Sequence, residues 1–205
     1  MKRIPQDTIL RLSSYLMALF NISGEMHEIS SYRLAKILGI NPNQLRKDLS
    51  YFGKFGRRGV GYKVEDLIYS LKKILGLDKI WNVALCGLGN LGRALCSYKG
   101  FSEQGFLIKV IFENDPKKIG RKFNNIEVLD YKHIEGKIQK YNIQIAVLAV
   151  PVGQAQELAE KIYNSGIRFI LNFVPLNINL PSDCLIRNVY MSSELTCLSY
   201  FLARR

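Results

Sequence analysis

Ile80-Trp81-Asn82-Val83-Ala84-Leu85-Cys86, followed at once by Gly87-Leu88-Gly89-Asn90-Leu91-Gly92, decides the fold of the larger part of this chain. The first seven residues read as a buried strand. The next six carry G-x-G-x-x-G, and the pattern from Leu91 to Tyr98 is helical. Such a glycine motif carries meaning only in this setting, between a strand and a helix. Gly87 makes the tight turn, Gly89 lets a pyrophosphate approach the backbone, and Gly92 lets the helix lie against the strand. The anion then rests on the helix N-terminus, where unpaired N–H groups and the dipole favour negative charge. Leu88, Asn90 and Leu91 complete this candidate cradle.

Downstream, a second strand is expected over Leu107 to Phe112, ending in Glu113. An acid at about this distance from the glycines accepts the hydroxyls of an adenine ribose and repels a 2′-phosphate. That favours NAD(H) over NADP(H), although Lys117, Lys118 and Arg121 lie close by. Asp115 is the second candidate acid, but its place before Pro116 suggests a turn residue. Ile143 to Val150 is nearly all apolar, as a strand buried on both faces should be. A helix over Gln154 to Ser165 follows, then strands over Phe169 to Phe173 and Leu185 to Val189. A last helix is expected from near Ser192, a plausible cap, through Glu194 to about Leu202. This alternation predicts an α/β fold with a doubly wound parallel sheet. Ligands of such sheets bind at the carboxyl ends of the strands, which places Val150 and Pro151 near the nicotinamide.

Upstream the character changes. The chain has 205 residues and a net charge of +12. Residues 30–63 alone hold eight Lys or Arg against one acid, Asp48. A charge concentrated in this way suggests a polyanionic partner. Thr8 to Phe20 has apolar residues at helical spacing. Ser30 or Ser31 caps a second helix, over Ser31 to Leu38, and Gly39 ends it. Asn41 caps a third, with Pro42 at its first position. Two short helices joined by a Gly-containing turn of three or four residues read as a helix-turn-helix, here about residues 12–51. On the third helix Leu45, Leu49 and Phe52 face inward. Asn43, Lys47, Ser50 and Tyr51, flanked by Gln44 and Arg46, face out and suit phosphates and base edges in a major groove. Ser31 and Tyr32, at the start of the second helix, join them as candidate DNA contacts. Residues 53–63 carry four glycines with Lys54, Arg57 and Arg58, and fit a tight hairpin with both arginines at its tip. Such a wing reaches a flanking minor groove, whose negative potential attracts arginine. The boundary between the winged helix-turn-helix (residues 1–76) and the dinucleotide-binding part (77–205) is placed near Gly76.

Several functions are disfavoured. Cys86, Cys96, Cys184 and Cys197 form no CxxC pair, and His27 and His133 are the sole histidines, so no structural zinc site is expected. No signal peptide and no run of membrane-spanning length is apparent, so a soluble cytoplasmic protein is expected. A dehydrogenase would need a substrate domain and a placed acid or base. The residues beyond Gly92 suffice only to finish the sheet, and neither histidine is well placed. A basic interaction module without DNA affinity remains the other alternative, separable by the salt dependence of duplex binding.

The sequence resembles the bacterial Rex redox-sensing transcriptional repressors over essentially its whole length. The matching stretches are Ile4-Pro5-Gln6 with Arg11-Leu12, Leu45-Arg46-Lys47-Asp48-Leu49-Ser50-Tyr51-Phe52-Gly53 and Gly59-Val60-Gly61-Tyr62. They continue with Gly87 to Gly92, Leu171-Asn172-Phe173-Val174-Pro175 and Glu194-Leu195. The resemblance implies a homodimer that binds double-stranded operator DNA when NADH is scarce and releases it when NADH, the effector opposed to NAD+, is abundant. It implies that the C-terminal helix swaps between subunits and packs between the two domains. It also implies that Arg11 and Tyr98 lie near the interdomain contact. Family members carry an acid four residues before the position of Glu194, and Tyr190 stands there in this chain. The usual Arg-to-acid contact of Arg11 is then missing. Either Glu194 replaces it from one turn further along, or the switch is shifted or weakened.

Overall fold

The computed structural model describes residues 4–57 and 59–204, which separate into two compact units, Met1–Lys79 and Ile80–Arg205. Arg58 therefore lies outside the described residues.

In the first unit α1 (Gln6–Ile22) buries Leu12, Tyr15, Leu16 and Leu19. Then come β1 (Glu28–Ile29), α2 (Ser31–Leu38), α3 (Pro42–Ser50), β2 (Tyr62–Lys63) and α4 (Val64–Ile74). The helix ends follow from local chemistry. The Ser30 side chain accepts from Arg33 N–H, Gly39 closes α2 in the left-handed conformation, and the Asn41 side chain accepts from Asn43 N–H. The apolar sides of α1, α2, α3 and α4 share one core around Leu12, Leu34, Leu45 and Leu71, each fully buried. The strand β2 pairs antiparallel with β1, Glu28 opposite Lys63 and Ile29 opposite Tyr62. A ladder partner between α1 and α2 was not expected, because a two-residue strand has no period to read.

The second unit is a seven-stranded sheet in the order β5-β6-β4-β3-β7-β8-β9. Its strands are β3 (Trp81–Cys86), β4 (Phe106–Glu113), β5 (Lys122–Phe123), β6 (Ile126–Asp130), β7 (Ile145–Leu148), β8 (Phe169–Asn172) and β9 (Leu185–Asn188). All neighbours pair parallel except β5 with β6. From β6 to β9 this is the strand order of dinucleotide-binding doubly wound sheets, with its switch point between β3 and β7. The helices are α5 (Asn90–Ser97), α6 (Lys99–Glu103), α7 (Ile134–Lys140), α8 (Val152–Asn164) and α9 (Met191–Leu202).

Alternation along the strands divides the core. Ala84, Cys86, Val110, Phe112, Ala146 and Leu148 pack under α7 and α8. Val83, Leu85, Ile111 and Val147 face the α5 side. That second face is incompletely covered, because no helix lies between β8 and β9. An apolar cavity of about 300 Å³ opens there among Val83, Leu85, Leu95, Tyr98, Ile145 and Leu171. The last helix starts one residue before the expected cap. Tyr190 holds the cap position and makes no side-chain capping bond, so Ser192 is not the cap.

Candidate nucleic-acid interface and dinucleotide cradle

On α3, Leu45 and Leu49 are buried and Phe52, just beyond, is partly buried. Asn43, Arg46, Lys47, Ser50 and Tyr51 are exposed. The Arg46 guanidinium is held before any ligand arrives. It donates to Ser31 Oγ at 2.8 Å and to Asn43 Oδ1. This pairing ties the start of α2 to α3 and takes up the Asn43 oxygen that a bidentate adenine contact would need. Tyr32 stands free at 70% exposure. Gln44 departs from the expected outward face. It is half-buried, and its Nε2 donates to Asp48 Oδ1 at 2.9 Å.

Asp48 is the residue that sequence reading passed over. Counted there as the one acid in a basic stretch, it is 1% exposed. It pairs with Arg11, whose Nε lies 2.6 Å from Oδ2 and whose Nη2 lies 2.8 Å from Oδ1. Arg11 thus has an acid partner within its own unit, a contact distinct from the interdomain one that the resemblance implies with the segment around Tyr190 and Glu194. Burial alone would raise the Asp48 carboxyl, but hydrogen bonds from Arg11, Tyr15 and Gln44 outweigh it and hold the group below the ordinary carboxylate range. A signal was present in the sequence. Thr8, Arg11 and Tyr15 recur at helical spacing on the side of α1 that also carries Leu12 and Leu19, and polar groups on a buried face need a partner.

The wing closes between Arg57 and Gly61, each N–H donating to the other's carbonyl, at 2.9 and 3.0 Å. Arg57 and Lys54 are exposed. The expected hairpin is corrected in one respect: its second arm, β2, is laddered to β1 and not to the chain before Arg57.

In the second unit, the cradle has the form the motif requires. Gly87 has φ +97°, and a Cβ there would meet Ala149 O at 2.3 Å. A Cβ on Gly92 would meet Gly87 O at 2.0 Å. Gly89 differs. It stands at the N-cap of α5 in ordinary extended backbone, its Cβ position has open space around it, and no side chain caps the helix. The N–H groups of the first turn, from Asn90, Leu91 and Gly92, therefore face an anion position.

Glu113 ends β4 at 5% exposure. Its Oε2 accepts from Leu88 N–H at 2.9 Å and from Lys118 Nζ at 3.1 Å. Its Oε1 accepts from Asn114 N–H at 2.8 Å and Asp115 N–H at 3.2 Å. A carboxylate offers about four lone-pair sites, and these four donors use them. Burial works to raise the Glu113 carboxyl, yet these donors hold it below its ordinary value. Glu113 thus straps the glycine turn to the end of β4. The more exposed carboxylate is that of Asp115, which accepts from Lys117 N–H at 2.9 Å and lies 3.6 Å from Lys118 Nζ. Val150 is buried two residues beyond the end of β7, and Pro151 is exposed at the N-cap of α8. Asn114 donates to Gln154 Oε1 at 2.9 Å, joining the loop after β4 to the first turn of α8. Tyr98 is 58% exposed and meets Phe101 edge-on.

Comparison with known proteins bears on both units. Residues 3–50 match a family model described as a putative DNA-binding protein N-terminus. Residues 78–176 match one described as a CoA binding domain. The redox-sensing transcriptional repressor Rex of Desulfitobacterium hafniense is 45% identical over 204 residues, covering 99% of this chain and 97% of that protein. The chain belongs to the Rex family. The Rex of Carboxydothermus hydrogenoformans is 42% identical, covering 98% of each chain. Among solved structures, that of RSP in complex with β-NAD+ and operator DNA matches with a TM-score of 0.94 and 37% identity, covering 100% of this chain and 94% of that one. RSP in complex with β-NADH matches with a TM-score of 0.91 and 36% identity, covering 100% and 96%. Membership accounts for a basic helix-turn-helix and a glycine cradle in one short chain. Rex proteins are named as transcriptional repressors, a family of regulators and not of enzymes. Among the described residues no cluster could hold a metal ion, and no helix is long and apolar enough to cross a membrane.

Proposed function

We propose that this protein is a cytoplasmic transcriptional repressor that reads the NADH/NAD+ balance. It binds operator DNA as a homodimer through α3 and the wing, and releases it when NADH occupies the Gly87–Gly92 cradle. The observation that carries this reading is the near full-length match to Rex repressors, set beside an uncapped α5 N-terminus with open space at Gly89. Glu113 is saturated by protein donors, so we assign the adenine-ribose hydroxyls to Asp115. The same charge disfavours a phosphorylated ribose, as carried by CoA or NADP(H). We assign DNA contacts to Ser31, Tyr32, Asn43, Arg46, Lys47, Ser50, Tyr51, Lys54, Arg57 and Arg58, and an orienting role to Gln44. Val150, Pro151 and Tyr98 are assigned to the nicotinamide end and its surroundings.

The dimer is supported by α9. None of its residues is buried within the chain. Met191, Leu195, Leu198 and Leu202 are 60–69% exposed and recur at intervals of four, three and four, a stripe of the kind that pairs with another helix. A second copy also offers a cover for the open apolar sheet face.

Binding of a palindromic duplex, titrated with NADH and NAD+ at fixed salt, tests the reading. Coupling of about 1–3 kcal/mol lowers affinity roughly 5- to 150-fold with NADH. Equal affinity at every NADH/NAD+ ratio leaves DNA binding standing and removes the redox sensor. The interface makes its own expectation. Lys47→Ala weakens binding by about 1–3 kcal/mol and relaxes sequence preference, whereas Arg57→Ala weakens all duplexes alike and lowers the salt slope by about one. Loss of discrimination in Arg57→Ala and not in Lys47→Ala would reverse these roles.

A further inference from the structure

The carboxylate of Asp48 accepts four hydrogen bonds of 2.9 Å or less, about one for each lone-pair site, and a longer fifth. Besides the two from Arg11, Tyr15 Oη donates at 2.7 Å, Thr8 Oγ1 at 3.2 Å and Gln44 Nε2 at 2.9 Å. Three of the donor residues lie on α1, and the acceptor lies on α3. Stability gives no reason for such a network, because well-packed apolar groups in place of a buried ion pair are often neutral or stabilising. The leucines already join these helices, but apolar contact has no direction and leaves rotation about the helix axis soft. A bidentate Arg–carboxylate pair fixes a plane. Asp48 also lies next in sequence to Lys47 and one turn after Gln44 on the same short helix, so the network and the outward face turn together.

We infer that Asp48 is a positioning residue: with Arg11, Tyr15 and Thr8 it sets the rotation of α3 and hence where Lys47 and Arg46 meet base edges. The inference rests on the DNA-binding reading above. It separates sequence-specific affinity, which depends on the angle of α3, from the salt-driven affinity for any duplex, which depends on charge.

The test uses the full chain and two probes: a palindromic duplex that the wild-type protein selects from a randomised pool, and a duplex of random sequence. The double variant Thr8→Val/Tyr15→Phe removes two of the five bonds at nearly constant shape and leaves Arg11, which the resemblance implies in the interdomain contact, in place. It is expected to stay folded by thermal unfolding and to bind NADH and the random duplex as wild type does. It is expected to lose the selected duplex by roughly 30-fold or more, the equivalent of one to two misread base pairs. A folded double variant that keeps the wild-type ratio between the two probes overturns the inference. Should the double variant not fold, Tyr15→Phe is read instead. It removes one of the five bonds and leaves the ion pair, and the selected duplex should weaken several-fold with the random one unchanged. An unchanged ratio in Tyr15→Phe is equally fatal. A wild-type protein that selects no duplex at all overturns the DNA-binding reading itself, a result distinct from either.

Discussion

Gly89→Val is expected to leave the protein folded and able to bind operator DNA while lowering its affinity for NADH by about 100-fold. The backbone at Gly89 has φ −75° and ψ −166°, which any residue adopts, and nothing lies within 4 Å of a Cβ built there. The substitution therefore costs the empty protein little. A pyrophosphate must come within hydrogen-bond reach of the N–H groups that follow, and a branched side chain at the helix cap holds it away. Loss of one or two charge-assisted bonds, each about 1.5–3 kcal/mol, gives the expected change. The variant should then repress at every NADH level. Gly92→Ala is expected to behave differently. Its Cβ would sit 2.0 Å from the backbone oxygen of Gly87, so α5 has to leave β3 or the turn has to open. Melting temperature and NADH affinity should fall together. Nicotinamide fluorescence titration and thermal unfolding separate the two cases. A Gly89→Val protein that binds NADH as wild type does would remove the dinucleotide from this turn.

The contrast between those glycines was legible in the sequence, because the motif assigns each a separate duty between strand and helix. So were the ends of α2 and α3, fixed by side chains within three residues of the backbone they cap. The apolar runs of β3 and β7 announced a sheet buried on both faces. Contacts made at a distance were not legible. Glu113 was read as a ribose acceptor from its place at a strand end. Its bond to Leu88 N–H, across 25 residues, uses that capacity inside the fold. Asp48 was read as one charge among many: the polar stripe of Thr8, Arg11 and Tyr15 signals that a partner is needed, but not that it comes from 37 residues away. The helix α4 (Val64–Ile74) went unassigned although Val64, Leu67 and Leu71 have helical spacing, because Lys63 at its N-cap position makes no capping bond and gives no start signal. The segment from β6 to α7 (residues 126–140) was also passed over. Its five-residue strand and seven-residue helix are too short to establish a period. The missing helix between β8 and β9, which leaves one sheet face open, could be found only by seeing which face each strand presents.

That open face and α9 lead to the second large effect. Leu195→Glu/Leu198→Glu is expected to convert a dimer into a monomer and to weaken binding to a palindromic duplex by about 100-fold or more. Within one chain these side chains are 69% and 60% exposed, so exchanging them should move the stability of a subunit by less than about 0.5 kcal/mol. Between chains the change is severe, because it buries carboxylates in an apolar seam without partners. Affinity for a two-fold operator comes from two recognition helices held at a fixed separation. Without the link, the second half-site is bound at bulk concentration, and linkage of this kind is worth roughly 10²–10⁴ in affinity. Binding to a duplex carrying a single half-site should be nearly unchanged, as should NADH binding if each cradle is complete within one chain. Sedimentation reports the mass and titration of the two duplexes reports the coupling. A double variant that still sediments as a dimer would place the interface elsewhere, and the apolar stripe of α9 would need another partner.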